Sequence, residues 1–403
     1  MSKLKAQLNT FNANRLPEMV KLKYEAMSEN AFRFFRGTCH VFYEQLSKVK
    51  LPQSPLVWIC GDLHLENFGS YKANNKLVYF DLNDFDEAAL APALWEVLRL
   101  VASIFIAFDT LGIGEEEAMN MGDLFLKTYC STLLGGKAIS IEPRTAKGIV
   151  KDFLKNAEES SYTELLEKRT EVSDRKVILS LKHERHFKLD KNLKKELKAH
   201  LTEWIGKSSY SPYNYKVKDV VFRLAGTGSV GVKRYLFLLR STINKDNHLL
   251  VEMKQCFPSS LAPYNPTQQP NWENDAERVI CVQKRMQNMS ASMLSATVFL
   301  DEPYLVQELQ PVKDTLAFKM IKDNYKDIYQ VIDDMAMLTA SSQLRSGGMS
   351  GSAITDELMA FGAAQGEWKS EAIRIAKELA EQSAADYREF LELKDPHSLG
   401  IFA

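Results

Sequence analysis

A glycine-rich turn set between two β-rich runs constrains this chain more than any other feature. Gly226-Thr227-Gly228-Ser229-Val230-Gly231 fits the spacing GxGxxG, which two unrelated phosphate-binding designs share. The dinucleotide design needs a helix directly after the glycines, so that the helix N-terminus receives the pyrophosphate. Here Val232 to Leu239 reads VKRYLFLL, runs into the turn Asn244-Lys245-Asp246-Asn247, and returns as the apolar stretch Leu249 to Cys256. The pattern predicts strands over 217–224, 232–239 and 249–256, with the glycines forming a flap between the first two. A P-loop is set aside because Val232 stands where that motif needs its lysine. Such a flap covers phosphates through backbone N–H groups, and its glycines permit the close approach that a Cβ would block. The alternative is a glycine-rich hairpin turn with no ligand.

The strand after the flap carries Val251-Glu252-Met253-Lys254, which resembles the lysine strand of protein kinases. A lysine in an otherwise apolar strand is costly to bury without an anionic partner. Glu277, on the helix predicted over 273–287, is the expected partner, with Glu273 one turn earlier as the fallback.

Two acidic loops precede all of this. Gly61-Asp62-Leu63-His64-Leu65-Glu66-Asn67 follows the apolar run Leu56 to Cys60, and Asn83-Asp84-Phe85-Asp86-Glu87 follows Leu77 to Asp81. Phosphoryl transfer needs one carboxylate to orient the attacking hydroxyl, with an amide and a second carboxylate holding Mg2+ on the phosphates. Asp62 is the candidate base, Asn67 and Asp84 the candidate metal ligands, and Asp81 a second metal candidate at its strand end. Gly-Asp-Leu-His also resembles the opening of a binuclear metallophosphoesterase site, but the further Asp, Asn and His loops of that site are missing downstream. His183-Glu184-Arg185-His186 is one residue short of HExxH and is expected to be solvated.

The rest of the 403 residues reads as ordinary globular sequence, 45% hydrophobic and 26% charged. A net charge of -1 gives no global attraction to nucleic acid or an anionic membrane, so phosphate binding has to be local. The stretch Met1 to Met19 lacks the apolar core of a secretory signal, and no apolar run approaches the ~18 residues of a membrane span. The expectation is a cytoplasmic protein with no nucleic-acid or membrane partner. Five scattered cysteines without a CxxC pair read as reduced core residues. Along the chain, 1–136 carries helices and the acidic loops, 137–211 is a lysine-rich helical connector, 212–311 is β-rich, and 312–403 is helical.

Taken together, Gly61 to Asn67 resembles the HGDxHxxN catalytic loop of aminoglycoside and choline phosphotransferases, with Cys60 in place of the first histidine. Asp84-Phe85 resembles their metal-binding DF or DFG, and Pro92 to Ser103 the helix that follows, with Glu96 replacing the usual aspartate. Gly226 to Gly231, Lys254 and Glu277 look like the flap, lysine and helix glutamate of the kinase small lobe. The order is inverted, since the catalytic loops precede the flap, and a circular permutation accounts for that. The set CGDLHLENFG, FDLNDFDE, GTGSVG and the following lysine also resembles the bacterial family called domain of unknown function 2252. That family's Arg-Gly appears here as Arg36-Gly37, and its histidine before Arg-Ser-Gly is replaced, Gln343 and Leu344 preceding Arg345.

The resemblance implies a two-lobed, circularly permuted protein kinase-like α+β fold, with the β-rich small lobe inserted between two helical parts of the large lobe. It implies ATP and Mg2+ as cofactors and a small-molecule or protein acceptor. Gly226, Thr227, Gly228, Ser229 and Gly231 would cover the phosphates, Lys254 would contact them, and Glu277 would orient Lys254. Val306 to Leu309, with Glu308, would be the hinge whose backbone meets adenine. A nucleotide-binding pseudoenzyme and a nucleotidyl (AMP) transferase remain the alternatives.

Overall fold

The computed structural model describes residues 2–226, 228, 230–311 and 316–393. Thr227 and Ser229 of the glycine turn lie outside the described residues. The chain is mixed α+β. It opens with α1 (Lys3–Asn12), α2 (Pro17–Met27), α3 (Ala31–Gly37) and α4 (Cys39–Leu46). Three short helices, not one long one, thus follow α1. Asn30 starts α3 by accepting from the N–H of Arg33 at 2.9 Å, and Thr38 leaves helical geometry between α3 and α4.

Next come β1 (Leu56–Ile59), a 3-10 turn at Leu65–Asn67, β2 (Phe68–Lys72), β3 (Val78–Leu82) and β4 (Ala89–Pro92). β1 pairs with β4 and β2 with β3, both antiparallel. The acidic loops are thus anchored at both ends by short ladders. α5 (Ala93–Leu111) and α6 (Glu115–Leu134) follow. α5 is buried from Ala93 to Phe108, and each fully buried Leu or Phe there adds about 1.5–3 kcal/mol of transfer free energy. That apolar burial holds two buried ionisable residues of the same helix, Glu96 and Arg99, behind the first acidic loop.

The connector is not wholly helical. It holds α7 (Gly148–Glu158), α8 (Tyr162–Arg169), β5 (Thr170–Ser173), β6 (Lys176–Leu179), β7 (His186–Phe187) and α9 (Lys191–Lys207). β5 and β6 form a hairpin because Asp174 and Arg175 both take positive φ, 49° and 59°, the geometry of a two-residue turn whose twist matches the strands. His186, expected to be solvated, is buried; its ring stacks on His183 and its Nδ1 lies 2.8 Å from the Ser180 carbonyl.

β8 (Tyr215–Arg223), β9 (Arg234–Ser241), β10 (His248–Gln255), α10 (Asp275–Met286), β11 (Ser295–Phe299) and β12 (Glu302–Glu308) complete the β-rich region. With β7 they form an antiparallel sheet in the order β11-β12-β10-β9-β8-β7. Strand alternation gives this sheet two chemistries. Val251 and Met253 pack with Leu197, Leu201 and Trp204 of α9, whereas Glu252 and Lys254 point the other way. α11 (Tyr325–Arg345), α12 (Thr355–Ala363) and α13 (Gln365–Glu392) end the described chain. α11 and α12 pack on α6, and α13 packs on α5, so the first and last helical regions share one apolar core. Among the described residues no helix is long and apolar enough to cross a membrane.

Candidate active site

The cavity-facing side of the sheet meets the two acidic loops across a cavity of about 290 Å³. Asp62, Asn67, Asp84, Gly226, Lys254 and Glu308 all line it. Asp62 and Lys254, far apart in sequence, therefore share one cavity.

The first loop is fixed from behind. Gly61 has φ +86°, and a Cβ there would lie 2.2 Å from the Glu87 carbonyl oxygen, so only glycine fits. Asp62 Oδ1 accepts from Arg99 Nε at 2.8 Å and Nη2 at 2.5 Å. Arg99 is fully buried, its guanidinium centre 4.0 Å from the Phe35 ring, and although burial opposes its charge, the Asp62 carboxylate holds its pKa above the usual value. Asp62 itself is 23% exposed, and among the described residues its Oδ2 receives no hydrogen bond. Beneath the loop, the Cys60 N–H donates to Glu96 Oε1 at 2.6 Å, Gln343 Nε2 donates to Glu96 Oε2 at 3.1 Å, and Tyr129 donates to Gln343. Glu96 and Gln343, two of the three departures from the resembled motifs, thus touch each other, and the third, Cys60, donates its N–H to the same carboxylate. Burial pushes the Glu96 carboxyl up, and it pushes the His64 imidazole well down, to the neutral form.

Asn67 ties the two loops together. Its Nδ2 donates to the carbonyls of Asp62 at 3.0 Å and Asp84 at 3.2 Å, and its Oδ1 accepts from the Asp84 N–H at 2.7 Å. The side chain expected to hold metal is buried and occupied as a fastener. Asp84 is different: its side chain is 54% exposed and lies 3.5 Å from Lys254 Nζ. Asp86, which sequence reasoning passed over, also pairs with Lys254. Burial works against the Asp84 charge, but Lys254 holds that carboxyl below its usual range, while burial and the Asp84 charge push Asp86 up.

Three expectations are corrected by this geometry. The partner of Lys254 is the acidic loop and not Glu277, whose carboxylate accepts from the Glu273 N–H at 2.6 Å at the start of its own helix. α10 instead presents Gln283 to the cavity, and Gln287, the residue just after the helix, joins it there. Asp81 does not reach the cavity. It is buried, accepts from the Leu82 N–H at 2.9 Å and pairs with Arg345 at 3.5 Å. The N–H groups of Glu308 and Leu309 are also taken, by the carbonyls of Ser292 at 3.1 Å and Leu250 at 2.9 Å. These two amides are not available to a base edge, although the side chains of Gln307 and Gln310 line the same wall.

Sequence reasoning also missed a cationic face. Arg223 on β8, Arg234 on β9 and Arg185 beside β7 line the cavity with Lys254. Arg223 and Arg234 both pair with Glu252, Arg234 at 3.2 Å. The carboxyl of Glu252 is buried, yet the two guanidinium groups hold it down at about 2. A charged residue at the cavity parity of each strand, next to aliphatic neighbours of opposite parity, was the available signal. Gly226, at the start of the glycine turn, also lines the cavity. Gly226 and Gly231 have φ +75° and +90°, and Arg15 Nη1 donates to the carbonyls of Gly228 at 2.8 Å and Val230 at 2.6 Å.

In this mixed α+β protein the start of the glycine turn, the buried lysine and the paired acidic loops thus converge on one cavity. The chain belongs to the family described as "Uncharacterized protein conserved in bacteria (DUF2252)", whose model matches residues 15–393. No curated protein and no solved structure matches it.

Proposed function

We infer that this protein is a two-lobed, kinase-like enzyme that binds ATP with Mg2+ and transfers a phosphoryl group to an acceptor, a small molecule or a protein. The observation that carries the reading is the convergence of Asp62, Asp84, Gly226 and Lys254 on one cavity. The β-rich region 212–311 then acts as the small lobe. The packing of α11–α13 on α5 and α6 supports a permuted chain whose large lobe comes from 1–136 and 312–403. Gly226, Gly228 and Gly231, with Thr227 and Ser229, would cover the phosphates, and Lys254 with Arg223 and Arg234 supplies cationic charge beside them.

Mg2+ on a nucleotide keeps several waters and uses only one or two protein carboxylates. The exposed carboxylate of Asp84, with Asp86 next to it, fits that demand. Among the described residues no group of three or more metal-ligating side chains is preassembled, so the phosphates would supply the remaining ligands. In this reading Arg99 fixes the rotamer of Asp62 and leaves Oδ2 to orient the acceptor hydroxyl. An AMP transferase would use the same residues with the nucleotide reversed. The pseudoenzyme alternative draws on the Asp62–Arg99 pair, which gives Asp62 a structural task.

ATP with Mg2+ is expected to raise the melting temperature, in proportion to a stabilisation of about 2.7 kcal/mol at a hundredfold excess over Kd. Lys254→Ala is expected to remove most of that shift while the ligand-free protein stays folded, because Asp84 can solvate its own charge. Equal shifts in both proteins would remove Lys254 from the site.

A further inference from the structure

A second cavity, about 510 Å³ in volume, adjoins the first and shares Arg36, Asp62, His64, Asp84, Asp86 and Gly226 with it. It too is lined by Asp62, and the N-terminal segment contributes Thr10, Phe11, Asn14 and Arg15 to its wall. Its apolar lining comes from Phe11, Val232, Phe257, Pro258 and Pro263, enough to hold the body of a small molecule.

The charge balance of that lining is one-sided. Each carboxylate on it already has its answer. Asp62 is held by Arg99, Asp84 and Asp86 by Lys254, and Glu87 accepts from the Ser260 N–H at 2.5 Å and the Ser259 hydroxyl at 3.3 Å. The donors are answered less completely. Arg15 spends Nη1 on two loop carbonyls and makes no ion pair among the described residues. Among the described residues the Ser260 hydroxyl and Arg36 Nε are buried without a hydrogen-bond partner, although Arg36 Nη1 pairs with Glu66. Behind Phe11, the fully buried Lys23 donates to Asn12 at 3.1 Å and pairs with no carboxylate among the described residues. Burial lowers the Arg15 pKa to about 10, the response of a cation awaiting an anion.

We propose that this second cavity holds the acceptor, and that the acceptor is a hydroxyl compound carrying a carboxylate or phosphate, its oxyanion held by Arg15 and its hydroxyl presented to Asp62. The proposal rests on the phosphotransfer reading above. The transfer balances as hydroxyl plus ATP giving phosphate ester plus ADP. The hydroxyl oxygen bonds to the γ phosphorus, the bond from that phosphorus to its bridging oxygen breaks, and the hydroxyl proton passes to Asp62.

The test is a melting-temperature panel of hydroxy acids, sugar phosphates, neutral polyols and amino sugars, with and without ATP and Mg2+, on the wild type, Arg15→Gln, Arg15→Lys and Lys254→Ala. Members of one anionic class should bind, the responding class identifying the oxyanion as carboxylate or phosphate. Arg15→Gln should weaken that binding roughly tenfold or more, Arg15→Lys should recover part of it, and Lys254→Ala, which unpairs Asp84 and Asp86, should weaken it less than Arg15→Gln does. Binding of amino sugars alone, or anion binding indifferent to Arg15, would overturn the assignment. Anion binding lost in Lys254→Ala and kept in Arg15→Gln would place the anion on the nucleotide side and overturn it equally. Arg15-dependent anion binding without any nucleotide shift would keep the anion site and defeat the phosphotransfer reading instead.

Discussion

Asp62→Asn is expected to lower turnover by roughly 10² or more while leaving nucleotide affinity nearly unchanged, because a group that orients the acceptor hydroxyl acts in the transition state. The substitution also weakens the counter-ion of a fully buried arginine. Asparagine keeps an oxygen facing Arg99 Nε and Nη2, so the stability cost should stay near 1–3 kcal/mol, and an assay well below the melting temperature separates the two effects. Turnover, ATP affinity and melting temperature measured together decide it. Full turnover in the variant, or activity that falls only as the protein unfolds, would leave Asp62 as a structural partner of Arg99.

Gly61→Ala should have the largest effect on stability. Its φ of +86° disfavours any side chain, and the new Cβ would sit 2.2 Å from the carbonyl oxygen of Glu87, where backbone must move. A loss of about 3 kcal/mol or more is expected by denaturant unfolding. Gly112→Ala is the matched control: φ is +73°, but nothing lies within 4 Å of the added carbon, so only backbone strain of about 1 kcal/mol applies. Equal losses at the two positions would show that the close approach of the acidic loops has no energetic consequence.

That close approach marks the limit of what sequence patterns could convey. Val251, Met253 and their neighbours announce a strand by parity, and Gly226 to Gly231 announce a turn by composition; both are local signals. α5 and α6 carry a signal of the same local kind, apolar residues that recur at helical spacing over many turns. The hairpin at 170–179 was hidden in a lysine-rich stretch, its signal confined to Asp174 and Arg175 and a few β-branched neighbours.

In the site, which residue meets which was illegible wherever two charges could satisfy each other. Lys254 needs an acid, and Glu277 and Asp86 are equally plausible on a line of letters. Only the folded loop brings Asp84 and Asp86 to it, while Glu277 turns to its own helix start. Asp81 and Asp84 are three residues apart, yet the strand directs Asp81 to Arg345 and the loop leaves Asp84 in the cavity. Asn67 has the right atoms for a metal, but three backbone groups claim them first. Arg185, Arg223 and Arg234 come from three separate segments, so no motif could have grouped them.

The most direct test of the account is a pair of incubations with ATP labelled separately at the α and the γ phosphate, each with Mg2+ and the acceptor class that binds in the panel. The account predicts that the γ label appears on the acceptor and the α label stays in ADP, and that neither moves with Asp62→Asn on the same time scale. Transfer of the α label would make the protein a nucleotidyl transferase, and an unchanged ATP pool in the presence of a bound acceptor would contradict phosphoryl transfer altogether.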